Sequence, residues 1–324
     1  MFFNFDNNSV RYIGRWGNCG DYMAATAPGS KFQIAFKGSR IVLKFDIKEL
    51  PRLPHIWVSI DGGARIEANL DRYLSVVAPS GGEHLLSVVF KGGKECANRW
   101  VKPLSGVKFE GFEADDVAAL PPLNKKTIEL IGDSITEGVV VDAYLDCHIG
   151  EEGEEYSKPV QDDFCGTYGF VAAEILNLEP IACGYGAVGV TKGGCGGVPK
   201  AADMYDFAFE GVPITYPATD YVLINHGTND SRNPEIFEEN YIALLDKVTA
   251  KNKTAKIACM IPFCGAFKNE IPPIIEKYNR EKGTDIALVD TTGWLTPEPI
   301  HPDREHHKLA GEKLAAVLKE KFSL

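Results

Sequence analysis

The chain has 324 residues, 44% of them apolar, and a formal net charge of −11. That length allows two domains of roughly 100–200 residues each, and the apolar share excludes a disordered chain. The acidic balance, with no basic cluster rising out of it, argues against nucleic acid and anionic membrane surfaces as partners.

The first residues, Met-Phe-Phe-Asn-Phe-Asp, lack the basic and long apolar regions of a secretory signal. No stretch approaches the roughly 18 unbroken apolar residues that would span a bilayer. Eight cysteines are scattered without a Cys-x-x-Cys pair or zinc-type spacing. They read as reduced, mostly buried thiols, and the expected location is cytoplasmic.

Up to about residue 112 the apolar residues alternate with period two. Phe32, Ile34 and Phe36 form one run, Ile41, Leu43 and Phe45 the next, then Ile56, Val58 and Ile60, then Leu86, Val88 and Phe90. Turn signals such as Asp61-Gly62-Gly63 and Lys91-Gly92-Gly93 separate them. Short alternating strands at this spacing predict an antiparallel β-sandwich over 1–112. Residues 113–126 carry paired prolines and no strand pattern, which predicts a linker.

From Thr127 to the end at 324 the pattern changes. Apolar runs at 127–131, 180–183, 221–225, 256–261 and 286–289 alternate with helical stretches. Phe237, Tyr241, Leu244, Leu245 and Val248 share one helical face over 234–250, with Asn233 as cap and Pro234 at the first position. A last helix is expected over about 304–322. Strand–helix alternation with buried strands predicts an α/β fold, a doubly wound parallel sheet of five strands. The stretch 139–165 is too long for an ordinary connection and is expected to rim a cleft, with Glu151, Glu152, Glu154 and Glu155 as a solvated face.

The carboxyl ends of those strands carry the chemistry. The first ends in Ile131-Gly132-Asp133-Ser134-Ile135-Thr136-Glu137-Gly138, which puts Ser134 on a tight turn where open parallel sheets bind ligands. After the second come Gly184, Gly186, Ala187 and Gly189, small residues that let backbone amides approach a substrate. After the third, Asn229 can donate to a developing oxyanion, a contact worth about 3 kcal/mol in the transition state. Before the last helix, His301 can reach the serine, and Glu298, three residues earlier, could orient the imidazole. Asp303 and Asp290 are fallback acids. Asp133, His226 and Asp230 read as supports of these turns. A metal on His301, His306 and His307 is disfavoured by their spacing, and Gly193-Gly194-Cys195-Gly196-Gly197 lacks the Lys-Ser/Thr of a nucleotide loop, so no cofactor is implied. It reads instead as a flexible loop near the second block.

Gly132-Asp133-Ser134, Gly227-Thr228-Asn229-Asp230 and His301-Pro302, in that order, resemble the sequence blocks of the SGNH, or GDSL-type, serine hydrolases, whose sheet is flavodoxin-like. The resemblance spans most of 127–324. It implies that Ser134 is the nucleophile, that His301 is its base, and that the oxyanion is held by the Ser134 amide, a second-block amide and Asn229. The second block aligns to put Ala187 at the donor position, which suits an alanine of negative φ, while Gly186 needs a one-residue gap. The family's acid is usually Asp, so Glu298 departs from its pattern.

The N-terminal sandwich with Gly14-Arg15-Trp16 resembles carbohydrate esterase family two, in which a jelly-roll precedes the hydrolase and acetyl groups are removed from polysaccharides. Together with the expected cytoplasmic location, that resemblance implies an acetylated oligosaccharide substrate derived from xylan or mannan. It also makes Trp294 and Trp100, with Trp16, candidate sugar-stacking residues. Alternatives are a lipase or thioesterase of the same superfamily, an acyltransferase, or a glycan-binding protein with a decayed esterase site. The oligomeric state is not legible.

Overall fold

The computed structural model describes residues 1–143 and 159–324. Most of the 139–165 insertion, with Glu151, Glu152, Glu154 and Glu155, lies outside the described residues.

The N-terminal part is a sandwich of two six-stranded antiparallel sheets. All four alternating runs are strands: Lys31–Lys37, Arg40–Phe45, His55–Ile60 and Glu83–Gly92. The last lies between the first and third in one sheet, antiparallel to both. Alternation sends one set of side chains inward, where Phe32 stacks on Phe109 with ring centroids 4.4 Å apart and Trp16 packs edge-on to Phe32.

The sandwich continues past residue 112. Val107–Glu113 is a strand, and Asp116–Val117 adds to the edge of Lys31–Lys37. The expected linker therefore begins inside a sheet. An open edge at Lys37 supplies the backbone partners that the prolines further on cannot. Residues 118–126 carry no regular element.

The second half is a parallel five-stranded sheet. Its strands are β1 (Thr127–Gly132), β2 (Glu179–Gly184), β3 (Tyr221–Asn225), β4 (Lys256–Met260) and β5 (Ala287–Val289), in the spatial order β2-β1-β3-β4-β5. Helices α1 (Ser134–Glu137), α2 (Tyr168–Ile175), α3 (Pro234–Lys251), α4 (Ile271–Lys282) and α5 (Arg304–Phe322) alternate with them. The Asn233 side chain caps α3 by accepting from the amides of Glu235 and Ile236, and the expected apolar stripe of that helix is buried.

Buried charges tie the two halves together. Arg15, fully buried, donates to the carbonyls of Met204, Tyr205 and Phe207 (2.6–3.0 Å) and lies 3.8 Å from Glu129 of β1. Lys31 pairs with Glu179 at 2.5 Å, and Trp57 Nε1 donates to Asp163 at 2.8 Å. These bonds fix the sandwich against the edge and the carboxyl end of the parallel sheet.

Candidate active site

Parallel register brings the expected turns to one edge. Gly132 of β1 lies opposite Gly184 of β2 and Asn225 of β3. The loops that follow those three positions carry Ser134, Ala187 and Asn229. Ser134 opens α1, and Asp133 caps that short helix by accepting from the Ile135 amide at 3.0 Å. The cap forces a sharp turn, which lifts the serine off the sheet end.

Ser134 Oγ lies 2.8 Å from His301 Nε2, across 167 residues of chain. His301 precedes α5, whose start is held by Arg304: its amide donates to Val141 and its guanidinium to both oxygens of Asp142 and to Asp163 at 2.6–2.7 Å. The clamp fixes the backbone three residues past the imidazole, so it positions the ring. Burial lowers the His301 pKa below its ordinary 6.5, which keeps the ring neutral and able to accept a proton.

The second-block loop turns on Ala187, whose φ is +59°. The negative φ that would suit an alanine there is not the one found: the tight turn from Tyr185 to Val188, closed by the Val188 amide on Tyr185 (3.2 Å), puts Ala187 in the left-handed region. For an alanine this costs on the order of 1 kcal/mol. Such strain clusters where function demands it. Ala187 is also the one residue of 181–190 that is not buried.

Gly186 points elsewhere, since its amide donates to Glu137 Oε2. Among the described residues the amides of Ser134 and Ala187 have no partner. Asn229 Nδ2 donates to the Val188 carbonyl at 3.3 Å, and Asp230 accepts from the Thr191 amide and hydroxyl at 2.7 Å. The second and third loops are therefore bonded to each other. The Ser134 and Ala187 amides and the Asn229 side chain are, in type, the donors an oxyanion requires.

Polar groups beneath the turns are deeply buried. Burial pushes Asp133 up to about 7, against the bond from Ile135 and with nearby Asp230 adding to the rise. Burial pushes His226 down to about 4 and His307 to about 3. Both rings are fully buried, and His307 Nδ1 accepts from the Tyr168 amide at 3.1 Å.

The three acids proposed from the sequence sit in different settings. Glu298 lies in the exposed run 296–300, and the Thr296 hydroxyl donates to its backbone carbonyl at 2.8 Å. A solvated carboxylate is a weak anchor for an imidazole. Asp303 is occupied as the cap of α5, accepting from the His306 amide and ring, and Asp290 accepts from the Thr292 amide.

The tryptophans divide. Trp16 is 1% and Trp100 6% exposed, and Trp100 meets Phe207 edge-on. Both are core residues, because a ring so covered has no face left for a sugar. Trp294 is half-buried and packs on the cluster that includes α5.

Arg99, unexpected from the sequence, reaches from the sandwich to Glu137 on α1. Its guanidinium forks onto the carboxylate, with Nη2 to Oε2 at 3.0 Å and Nη1 to Oε1, and both side chains are almost wholly buried. Glu137 in turn accepts from the Gly186 amide. One carboxylate thus joins the sandwich, the serine helix and the second-block loop.

No family model matches the chain, and comparison with curated proteins finds no match. Solved structures do match. A family two carbohydrate esterase from Cellvibrio japonicus superposes with a TM-score of 0.80 at 17% identity, covering 100% of this chain and 98% of that one. One from Clostridium thermocellum, in complex with cellohexaose, gives 0.75 at 23%, covering 97% and 99%. An acetyl xylan esterase from the rumen bacterium Butyrivibrio proteoclasticus gives 0.76 at 16%, covering 100% and 98%. From end to end, the chain has the fold of the family two carbohydrate esterases, a β-sandwich followed by an SGNH-type α/β domain.

Proposed function

We propose that this chain is a serine esterase that removes O-acetyl groups from carbohydrates, with acetylated xylo- or manno-oligosaccharides as its substrates. The contact of Ser134 Oγ with His301 Nε2 at 2.8 Å, on the carboxyl edge of the parallel sheet, carries this reading. Ser134 Oγ attacks the acetyl carbonyl while His301 takes its proton. The negative oxygen is received by the amides of Ser134 and Ala187 and by Asn229 Nδ2. The C–O bond to the sugar breaks, and His301 returns the proton to the departing hydroxyl. Water then attacks the acetyl-serine with His301 as base, acetate leaves, and Ser134 regains its proton. These steps need no cofactor. The sugar half of the proposal draws on the likeness to carbohydrate esterases, one an acetyl xylan esterase and one holding cellohexaose.

Two measurements test it. Acetate release from acetylated oligosaccharides, beside a chain-length series of p-nitrophenyl esters, is expected to show an optimum at acetyl. An optimum at long acyl chains would overturn the carbohydrate reading in favour of a lipase or thioesterase. The pH profile of kcat/KM tests the base. A base lowered by burial stays neutral, and active, to lower pH. The acidic limb is therefore expected to fall below pH 6.5. A limb above that value would contradict His301 as the base.

A further inference from the structure

We propose that Glu95, Cys96 and Cys195 form a binding site for a soft divalent cation of the zinc class. The two cysteines are 99 residues apart in sequence, and the fold brings their Sγ atoms to 3.5 Å. The Sγ atoms and a carboxylate oxygen of Glu95 all lie within 4.8 Å of one another. Two thiolates at about 2.3 Å from a tetrahedral zinc sit about 3.8 Å from each other. A disulfide would require about 2.05 Å. The observed separation is thus close to that of a chelate.

The backbone around the three donors is tightly built. The Arg99 amide donates to Gly196 and the Cys195 amide to Gly186, each at 2.9 Å. Gly196 has φ +69°, and a Cβ there would fall 2.4 Å from the Ala97 carbonyl. A Cβ on Gly186 would fall 1.7 Å from Glu95 Oε1. The glycines let the 95–99 segment lie directly on the 186–197 loop, which gives the 193–197 run a purpose. The stretch expected to be a flexible loop forms a 3₁₀ turn at Cys195–Gly197.

The donor set selects the ion. Two thiolates and one carboxylate suit zinc or cadmium, whereas magnesium and calcium want oxygen alone. Cys96 is exposed, so an ion can enter from solvent. Cys183 and Cys259, by contrast, are fully buried packing residues. An ion here would pin the segment that carries Arg99 onto the loop that carries Ala187.

Cadmium titration of the reduced full chain provides the test, read by the ultraviolet thiolate-to-metal absorption. One equivalent is expected to bind, and excess magnesium is expected not to displace it. Cys195→Ser and Cys96→Ser should each abolish the absorption or weaken binding by at least about tenfold, since even a partner behind a metal ligand costs that much. Glu95→Gln should weaken it with both thiols intact. Should a variant fold poorly, wild-type protein gives the second reading. Zinc is expected to shield Cys96 and Cys195 from alkylation, read peptide by peptide, while exposed Cys19 stays reactive. Cadmium absorption unchanged in the variants, no binding at all, or no zinc protection would overturn the site. So would isolation of the chain with Cys96 and Cys195 already joined as a disulfide. These readouts follow metal and thiols, so they stand whether or not the esterase reading does.

Discussion

Ser134→Ala is expected to lower the rate of acetate release by on the order of 10⁵-fold or more, with the unfolding midpoint little changed. Ser134 is 6% exposed and its small hydroxyl is bonded to His301, so its removal takes the nucleophile and leaves the turn. His301→Ala should cost about as much. The double variant should cost little more than either, because the two groups act as one unit. Initial rates on p-nitrophenyl acetate check all three. Additive losses, or a single variant within tenfold of wild type, would mean that the reaction does not pass through this pair. A glycan-binding protein with a decayed site predicts a low rate that none of the substitutions changes.

The second large effect belongs to Arg99. Arg99→Ala leaves Glu137 almost wholly buried without its cation, and a buried charge stripped of its partner costs about 3–5 kcal/mol. Urea unfolding should register that loss, while the double variant Arg99→Met/Glu137→Leu should recover much of it, since well-packed apolar side chains can replace a buried pair. The pair also acts through other residues. Glu137 receives the Gly186 amide and belongs to α1, so its displacement moves both the serine and the Ala187 turn. In the double variant kcat should therefore stay depressed with KM little changed even where stability returns. Full recovery of kcat along with stability would reduce Arg99 to a structural tie.

What the sequence made legible follows from what is local. The five strands from Thr127 onward stand out because each is a short, mostly apolar run between helical stretches, and α3 and α5 because caps and apolar stripes coincide. Ser134, Asn229 and His301 stand out as candidates because each lies at or near the end of a strand or the start of a helix. The short sandwich strands such as Phe2–Asn4 and Asp116–Val117 were not. At two or three residues they carry no period, and their existence depends on the neighbouring edge. Helix α4 is legible only as a helical stretch between two strands, without bounds, because Pro272 and Pro273 fall in its first turn, where proline is tolerated but reads as a break. The long-range pairs were out of reach. Nothing near Glu137 announces a guanidinium 38 residues upstream, and nothing near Cys96 announces Cys195. For Trp100 the residue type alone suits core and platform equally, and the packing that covers it decides for the core.

The central claim is that Ser134 carries the acyl group, and trapping that intermediate tests it most directly. Wild-type protein mixed with an activated acetyl ester and quenched in acid within the first turnover should yield a peptide containing Ser134 heavier by one acetyl group. That peptide should stay unmodified in Ser134→Ala. An acetyl group found on another residue, or steady hydrolysis by wild-type protein with Ser134 never modified, would contradict the account.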